Sequence, residues 1–490
     1  MRASPPIGGR SLQGEYVLKK EFPQIHYYDQ DFVDIYDRCW AWAVDFWRKA
    51  EPDVGLPNPF FAYKDGSYLS LYESCMASFF LVYFNKKYAV SLMLDNFYAL
   101  QEESGAIRGV YDLETGKPVL TKDNPEGLAP PLLAWAEYNL YHKVGVKKRV
   151  KDIMPALMKY QDWLEANFKG DNGLYSPPLS ATMMENAPRE GVVYPVDFNT
   201  QVAINALYLS ALADILNDKE LGFRYKRQYF SLKTRINSLM WDPDDQIYYD
   251  LDADEKRVKV KTIGAFWTLL AELPNDERAE GLIAHLSDPE EFGTDNPFPT
   301  LAKSEKAFQE DGHGARGSVY PPFTYMVIKG LEKYSKYEFA REASIRHMYF
   351  LLDTFHPENG KKGTLWEAYR PLKDGPAVWP AGGEGWNRPL NLAYSGLTTI
   401  ALMVENIVGL YVSLPRKTVD WFVPTLELMG IEDLPLKRNR ITIVSNKSSR
   451  GWEIRLESEK LYYFTIDILG EKKKTLPIPS GKCSMLIDKL

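Results

Sequence analysis

A helical repeat of apolar residues, recurring about a dozen times with connections that alternate in length, constrains this chain more than any other feature. After Asp197, for example, Phe198, Val202, Leu207, Leu212 and Ile215 recur near the period of about 3.6 residues that marks one face of an α-helix. The same pattern predicts helices near 29–50, 68–82, 86–102, 128–143, 147–168, 197–217, 219–240, 259–271, 274–286, 320–334, 336–355 and 391–410. Connections such as 85–87 and 217–219 are short, so the helices they join are antiparallel neighbours. Others, 103–127, 169–196, 287–319 and 356–390, are long and rich in Gly, Pro, Trp and Tyr. Twelve helices in hairpin pairs, with long loops at one end, predict a mainly α fold, an (α/α)6 barrel. An α-solenoid would also stack hairpins, but no repeat of fixed length runs through the sequence. Long loops without secondary structure are usually functional.

The two ends differ from this pattern. Residues 1–25, with Pro5-Pro6, Gly8-Gly9 and Pro23, read as an irregular lead, and the helical domain spans 26–415. Within it, two β-like runs flank the polar turn 252–256, which reads as a hairpin. Beyond residue 430, the runs Arg440-Ile-Thr-Ile-Val, Trp452-Glu-Ile-Arg-Leu and Leu461-Tyr-Tyr-Phe-Thr-Ile predict a small β-rich domain over 430–490.

Composition removes several function classes. The chain has 490 residues, 45% hydrophobic and 26% charged, which suits a soluble globular protein. Its 59 basic and 66 acidic residues leave a net charge of −7. No uniformly basic footprint exists, and short clusters such as Lys472-Lys473-Lys474 read as solvated faces, so nucleic acid is not an expected partner. No run of about 18 apolar residues exists, so no membrane-spanning helix is expected. The opening MRASPPIGGRSLQGEY lacks the apolar core of a signal peptide. Cys39, Cys75 and Cys483 form no CxxC pair, which suits a reducing compartment. A cytoplasmic location follows. No two histidines stand at HxxxH spacing, and no phosphate-cradling glycine loop or GxSxG elbow is present. Neither a metal nor a cofactor is expected. Aromatics reach 13%, with 12 Trp, 31 Tyr and 23 Phe. They imply a large core or a cleft whose ring faces stack on sugars.

The long loops carry the candidate chemistry. In Thr182-Met-Met-Glu-Asn-Ala-Pro-Arg189, Glu185 sits among apolar neighbours. An apolar pocket raises a carboxyl pKa, as a general acid requires; the bland reading is a surface Glu near a helix start. In Thr364-Leu-Trp-Glu-Ala-Tyr-Arg370, Glu367 stands beside Arg370. A carboxylate next to a cation stays ionised, as a general base requires; the bland reading is an ion pair at a loop edge. In Asp311-Gly-His-Gly-Ala-Arg-Gly-Ser-Val-Tyr-Pro-Pro322, glycines around Arg316 allow close approach, so Arg316 could bind sugar oxygens or simply close a loop-to-helix junction. Tyr72 and Glu73, in Ser70-Leu-Tyr-Glu-Ser-Cys75, could hold a sugar or cap a helix. Trp386, in a Gly-rich loop with Trp379, could stack on a sugar or plug the barrel mouth.

Taken in order, these segments resemble glycoside hydrolase family 63, and within it the bacterial mannosylglycerate- and glucosylglycerate-hydrolase-like enzymes, with the trehalases as relatives. The likeness runs over residues 25–412 and is carried by 197–217, 241–266, Pro130-Pro131 with Leu132-Leu-Ala-Trp-Ala-Glu137, and Arg316–Gly330. The resemblance implies an (α/α)6 barrel that hydrolyses α-glycosidic bonds with inversion. The family's acid loop matches 184–189, which puts the general acid at Glu185. Its tryptophan-glutamate-x-tyrosine segment matches Trp366-Glu367-Ala368-Tyr369, which puts the general base at Glu367. An early Trp-Asp pair that holds the sugar's non-reducing end reads Tyr72-Glu73 here. Asp is thus replaced by Glu at 73 and at 185, Ala315 replaces a Trp before Arg316, and Tyr320 replaces another. The activity class carries over; the individual substrate does not.

The expectation is therefore direct displacement on a small carbohydrate. Tyr72, Glu73, Asn186, Arg189, Asp197, Gln201, Arg316, Trp366, Tyr369 and Trp386 are the expected substrate contacts. Homo-oligomerisation is left open. An epimerase or isomerase would want a histidine acid–base residue, for which His313 is the candidate. A sugar-binding protein without turnover and a phosphorylase complete the alternatives.

Overall fold

The computed structural model describes residues 21–63, 66–356, 363–378, 387–449 and 451–487. Most expected helices form where the periodicity places them: α1 (Gln30–Phe46), α2 (Leu71–Leu81), α3 (Val90–Ala99), α4 (Leu133–Val144), α5 (Lys147–Phe168), α6 (Val196–Leu216) and α7 (Lys219–Leu239). There follow α8 (Trp267–Leu270), α9 (Asp276–Ser287), α10 (Pro321–Lys333), α11 (Tyr337–Phe355) and α12 (Leu392–Gly396), which runs on as a π-helix over Leu397–Ile407. Local chemistry sets their ends. Ser70 accepts from the Glu73 N–H and caps α2, while Asp218 and Asn275 cap α7 and α9 in the same way. Asn217 closes α6 in the left-handed region at φ 62°.

Two kinds of helix result. Every residue of α2 and of the π-helix is buried, so these helices are covered on all sides. In α7, by contrast, a stripe through Gly222, Tyr225, Tyr229, Leu232 and Ile236 is buried while the opposite face meets solvent. The covered helices touch in series: α2 on α4, α4 on α6, α6 on α8, α8 on α10, α10 on the π-helix, and the π-helix and α12 back on α2.

The expected helix over 259–271 shortens to a 3-10 turn, Ile263–Phe266, followed by α8. Just before it, Arg257–Val258 pairs with Asp250–Leu251 in the expected hairpin, and within it Thr262 bridges Leu301. The alternation of Val258, Val260 and lysines suits a strand better than a helix.

A strand from the lead, β1 (Gln24–Tyr27), joins the C-terminal β module. The module comprises β2 (Leu410–Ser413), β3 (Thr418–Val423), β4 (Met429–Leu436), β5 (Asn439–Ser448), β6 (Gly451–Ser458), β7 (Tyr462–Ile468), β8 (Lys472–Ile478) and β9 (Gly481–Ile487). One sheet runs β1-β4-β5-β6-β9, the other β2-β3-β7-β8. Strands thus begin at Leu410, well ahead of the expected 430, and the lead contributes an edge strand; its residues 1–20 lie outside the described residues. The Trp421 indole N–H donates to the Val408 carbonyl at 2.8 Å and ties β3 to the end of the π-helix. Among the described residues no helix is long and apolar enough to cross a membrane.

Candidate active site

The N-terminal ends of α2, α10 and α12 converge on a cavity of ≈ 310 Å³. Tyr72 comes from α2, Pro322 and Phe323 from α10, and Tyr394 from α12; Met183, Glu185, Tyr320 and Glu367 come from loops. A larger cavity, ≈ 540 Å³, lies at the opposite ends of α4, α10 and the π-helix, against β3. Its buried charges are mutually paired: Lys329 lies 2.7 Å from the Glu405 carboxylate and 2.9 Å from that of Glu332. The smaller cavity instead places two carboxylates, Glu185 and Glu367, on one shared space, and that is where chemistry is available.

Glu185 lines this cavity and is exposed to solvent. The protein around it raises its carboxyl above the ordinary range; its own backbone N–H opposes the rise, and the negative charge of Glu367 adds to it. The loop holding Glu185 turns at Met183, which adopts φ 63°. Two anchors fix that loop. Above, the Asn186 side chain accepts from the Ala315 N–H at 2.7 Å and donates to the His313 carbonyl at 2.8 Å, while Arg316 Nε donates to the Asn186 carbonyl at 3.0 Å. Below, the buried Arg189 guanidinium donates to Asp250 and Asp197, each at 2.8 Å, and to Thr182 Oγ1 at 3.0 Å. Burial raises the Asp197 carboxyl to about 6, against the pull of Arg189.

Glu367 has a different electrostatic setting. Its cation is not Arg370, the sequence neighbour, whose Nε donates to the Pro376 carbonyl at 3.2 Å. It is Arg388, whose Nε donates to Glu367 Oε2 at 2.8 Å and whose Nη2 donates to Oε1 at 3.2 Å. The same Nη2 also binds Glu73 Oε1. Glu73 is buried, and burial raises its carboxyl although Arg388 pulls it down. The Tyr72 ring meets the Tyr394 ring edge-on at 6.0 Å.

The structure brings Tyr72, Glu185 and Glu367 together on the cavity wall, with Glu73 joined to Glu367 through Arg388. It does not bring the other expected contacts to that wall. Arg189 and Asp197 belong to the buried ion network under the loop. Gln201 is fully buried inside α6, and its amide has no hydrogen-bond partner among the described residues. Asn186 and Arg316 brace the loops. Tyr369 is buried, accepts from the Trp366 N–H at 2.9 Å, and so leaves both rings off the wall. Trp386 lies outside the described residues. His313 enters through its backbone, and its ring is not among the residues that line the cavity. The sequence reading missed Met183, Tyr320, Pro322, Phe323, Tyr394 and Arg388. The aromatic residues around Pro321-Pro322 were the available signal; Arg388 carried none.

Residues 112–387 match the mannosylglycerate hydrolase MGH1-like glycoside hydrolase domain, and residues 409–490 match the C-terminal domain of trehalase. An uncharacterised protein of Borreliella burgdorferi is 50% identical over 473 residues, which is 96% of this chain and 100% of that one. The cytosolic neutral trehalase of Kluyveromyces lactis is 27% identical over 134 residues, 26% of this chain and 17% of the trehalase. Among solved structures, the GH63 mannosylglycerate hydrolase of Thermus thermophilus in complex with glucose superposes with a TM-score of 0.60 at 18% identity, over 74% of this chain and 99% of that one. The neutral trehalase Nth1 of Saccharomyces cerevisiae gives 0.53 at 15% identity, over 70% and 74%. At these identities the structural likeness is one of fold: a helix-rich domain followed by a β module. The family match covers more than half of the chain, and the protein belongs to the mannosylglycerate-hydrolase-like glycoside hydrolases of family 63.

Proposed function

We propose that this glycoside hydrolase cleaves an α-glycosidic bond of a small glycoside with inversion, on an (α/α)6 barrel, with Glu185 as general acid and Glu367 as general base. The observation that carries the reading is the electrostatic contrast across one cavity. Glu185 lies in surroundings that favour its protonated form, while Glu367 is held by a guanidinium. Two carboxyl groups in contrasting environments are what acid–base displacement requires. The serial contacts that return from the π-helix to α2 support the barrel.

In this mechanism Glu185 gives its proton to the leaving oxygen as the anomeric C–O bond breaks. A water oxygen bonds to the anomeric carbon from the opposite face, and its proton passes to Glu367. Room for that water requires carboxyl groups about 6.5–9.5 Å apart. A cavity of ≈ 310 Å³ suits a sugar ring with a small aglycone better than a polymer.

The test is proton NMR of the wild type, Glu185→Gln and Glu367→Gln on trehalose, kojibiose, nigerose, glucosylglycerate and mannosylglycerate. The β-anomer is expected first, with each variant losing about 10²–10⁴-fold in kcat. First release of the α-anomer would refute inversion. Sugar binding without turnover would point to a binding protein.

A further inference from the structure

The proposed acid and base leave one charged side chain at the site without a role. Arg388 lies behind the cavity wall, between Glu367 on one loop and Glu73 at the start of α2. Its backbone is held too: the Glu367 N–H donates to the Arg388 carbonyl at 3.2 Å, and Tyr63 donates to the Pro389 carbonyl at 2.7 Å. Its guanidinium carbon lies 5.1 Å from the centre of the Tyr63 ring.

We infer that Arg388 is a positioning residue that couples the water-activating carboxylate to Glu73 at the start of α2, by binding Glu367 and Glu73 with one guanidinium. The inference rests on the hydrolytic reading above. Three features of the geometry support it. Nε and Nη2 span both oxygens of Glu367, so the carboxylate is fixed in rotation as well as in place. Nη2 is shared with Glu73, so a shift of either carboxylate is felt by the other. Glu73 and Glu367 would repel if left side by side, and a cation between them offsets that repulsion. The pairing also gives the longer side chain at 73 a purpose. An Asp there would end one carbon–carbon bond, about 1.5 Å, short of the guanidinium.

The experiment uses α-glucosyl fluoride and α-mannosyl fluoride with the full-length wild type, Arg388→Ala, Arg388→Lys and Glu73→Asp. In these substrates the C–F bond breaks, fluoride leaves without a proton from Glu185, water bonds to the anomeric carbon and its proton goes to Glu367. The readout therefore isolates the base and what positions it. Arg388→Ala is expected to lose about 10²-fold in kcat, because small misplacements of a reacting group are costly. Millimolar guanidinium chloride is expected to restore part of that rate, and sodium chloride at equal ionic strength is not. Arg388→Lys is expected to recover little, because an ammonium cannot fork across two carboxylates. Glu73→Asp is expected to lower kcat as well as raise KM.

A purely structural Arg388 would lower the melting temperature without guanidinium rescue. Folded Arg388→Ala or Arg388→Lys with kcat within about threefold of wild type would overturn the inference. If Arg388→Ala does not fold, Arg388→Lys alone decides on the same criterion. A wild type that cleaves neither fluoride nor any α-glycoside overturns the hydrolytic reading itself, an outcome distinct from failure in the variants alone.

Discussion

Asn186 Oδ1 accepts the Ala315 N–H at 2.7 Å, which fastens the loop carrying Glu185 to the loop that precedes α10. The proposed acid is thus positioned by its sequence neighbour, through a backbone group about 130 residues further on. Asn186→Ala leaves the Ala315 N–H without its partner and removes one of two donors to the His313 carbonyl, at a cost of about 1–3 kcal/mol. We expect kcat to fall by about 10²-fold as Glu185 loses its aim, with a smaller change in KM. Steady-state kinetics together with denaturant unfolding check both parts.

The pH profile follows from Glu185. As the proposed acid it would work protonated, and its pKa is raised above the usual 4.5. Activity on glycosides therefore persists past pH 4.5 and falls as pH rises through the raised value. Glycosyl fluorides, which need no acid, lack that alkaline limb.

The same shift bears on stability. A carboxyl whose folded-state pKa exceeds its unfolded value binds its proton more tightly when folded. That contribution is complete below pH 4.5 and is lost as pH rises through the folded pKa. Glu185→Gln removes the loss, so its melting temperature relative to wild type should climb as pH rises above 4.5. A difference that does not change with pH would contradict the raised carboxyl.

Arg189 and Asp197 offer a test between sugar contact and loop support. Both are buried beneath the acid loop. Arg189→Met strands the Asp197 and Asp250 carboxylates and should cost about 3–5 kcal/mol. Asp197→Asn should destabilise the protein while leaving KM for its glycoside near the wild-type value. A large rise in KM in a folded Asp197→Asn protein would show direct contact instead.

Glu405 governs acid stability where the helices meet the β module. Burial alone would raise its carboxyl, but Lys329 and Lys143 outweigh burial and hold it at about 2. With the folded pKa below the unfolded 4.5, the stabilisation is present above pH 4.5 and is lost as pH falls towards 2. Glu405→Gln should cost about 3–5 kcal/mol at neutral pH, and the gap to wild type should narrow on acidification. Melting temperature against pH measures this.

Much of the helical architecture was legible because periodicity is a local property. The limits of α5 and α7 follow from apolar spacing and from breakers such as Asn217. The reading failed where local preferences compete: the helix expected from 259 does not begin until 263, because 257–258 pair with 250–251 and Thr262 bridges Leu301. At the candidate site, Glu185 and Glu367 stood out because each is a carboxylate among aromatic or apolar neighbours on a long loop. Arg189 and Asp197 stood out equally, and nothing in their spacing showed that they pair with each other and with Asp250 under the loop. Arg388 had no local signal at all, since its partners are 21 and 315 residues away.

The sequence by itself determined most of the helical segments, which loops carry carboxylates, and the family whose segments they match in order. These depend on short-range spacing and on residue chemistry. Only the tertiary structure decided that Glu367 pairs with Arg388 rather than Arg370, that Tyr394 and Phe323 close the cavity, and that Asn186 and Arg316 brace loops. Ion pairs and cavity walls form between residues distant in the chain, and their geometry exists only once the helices have packed.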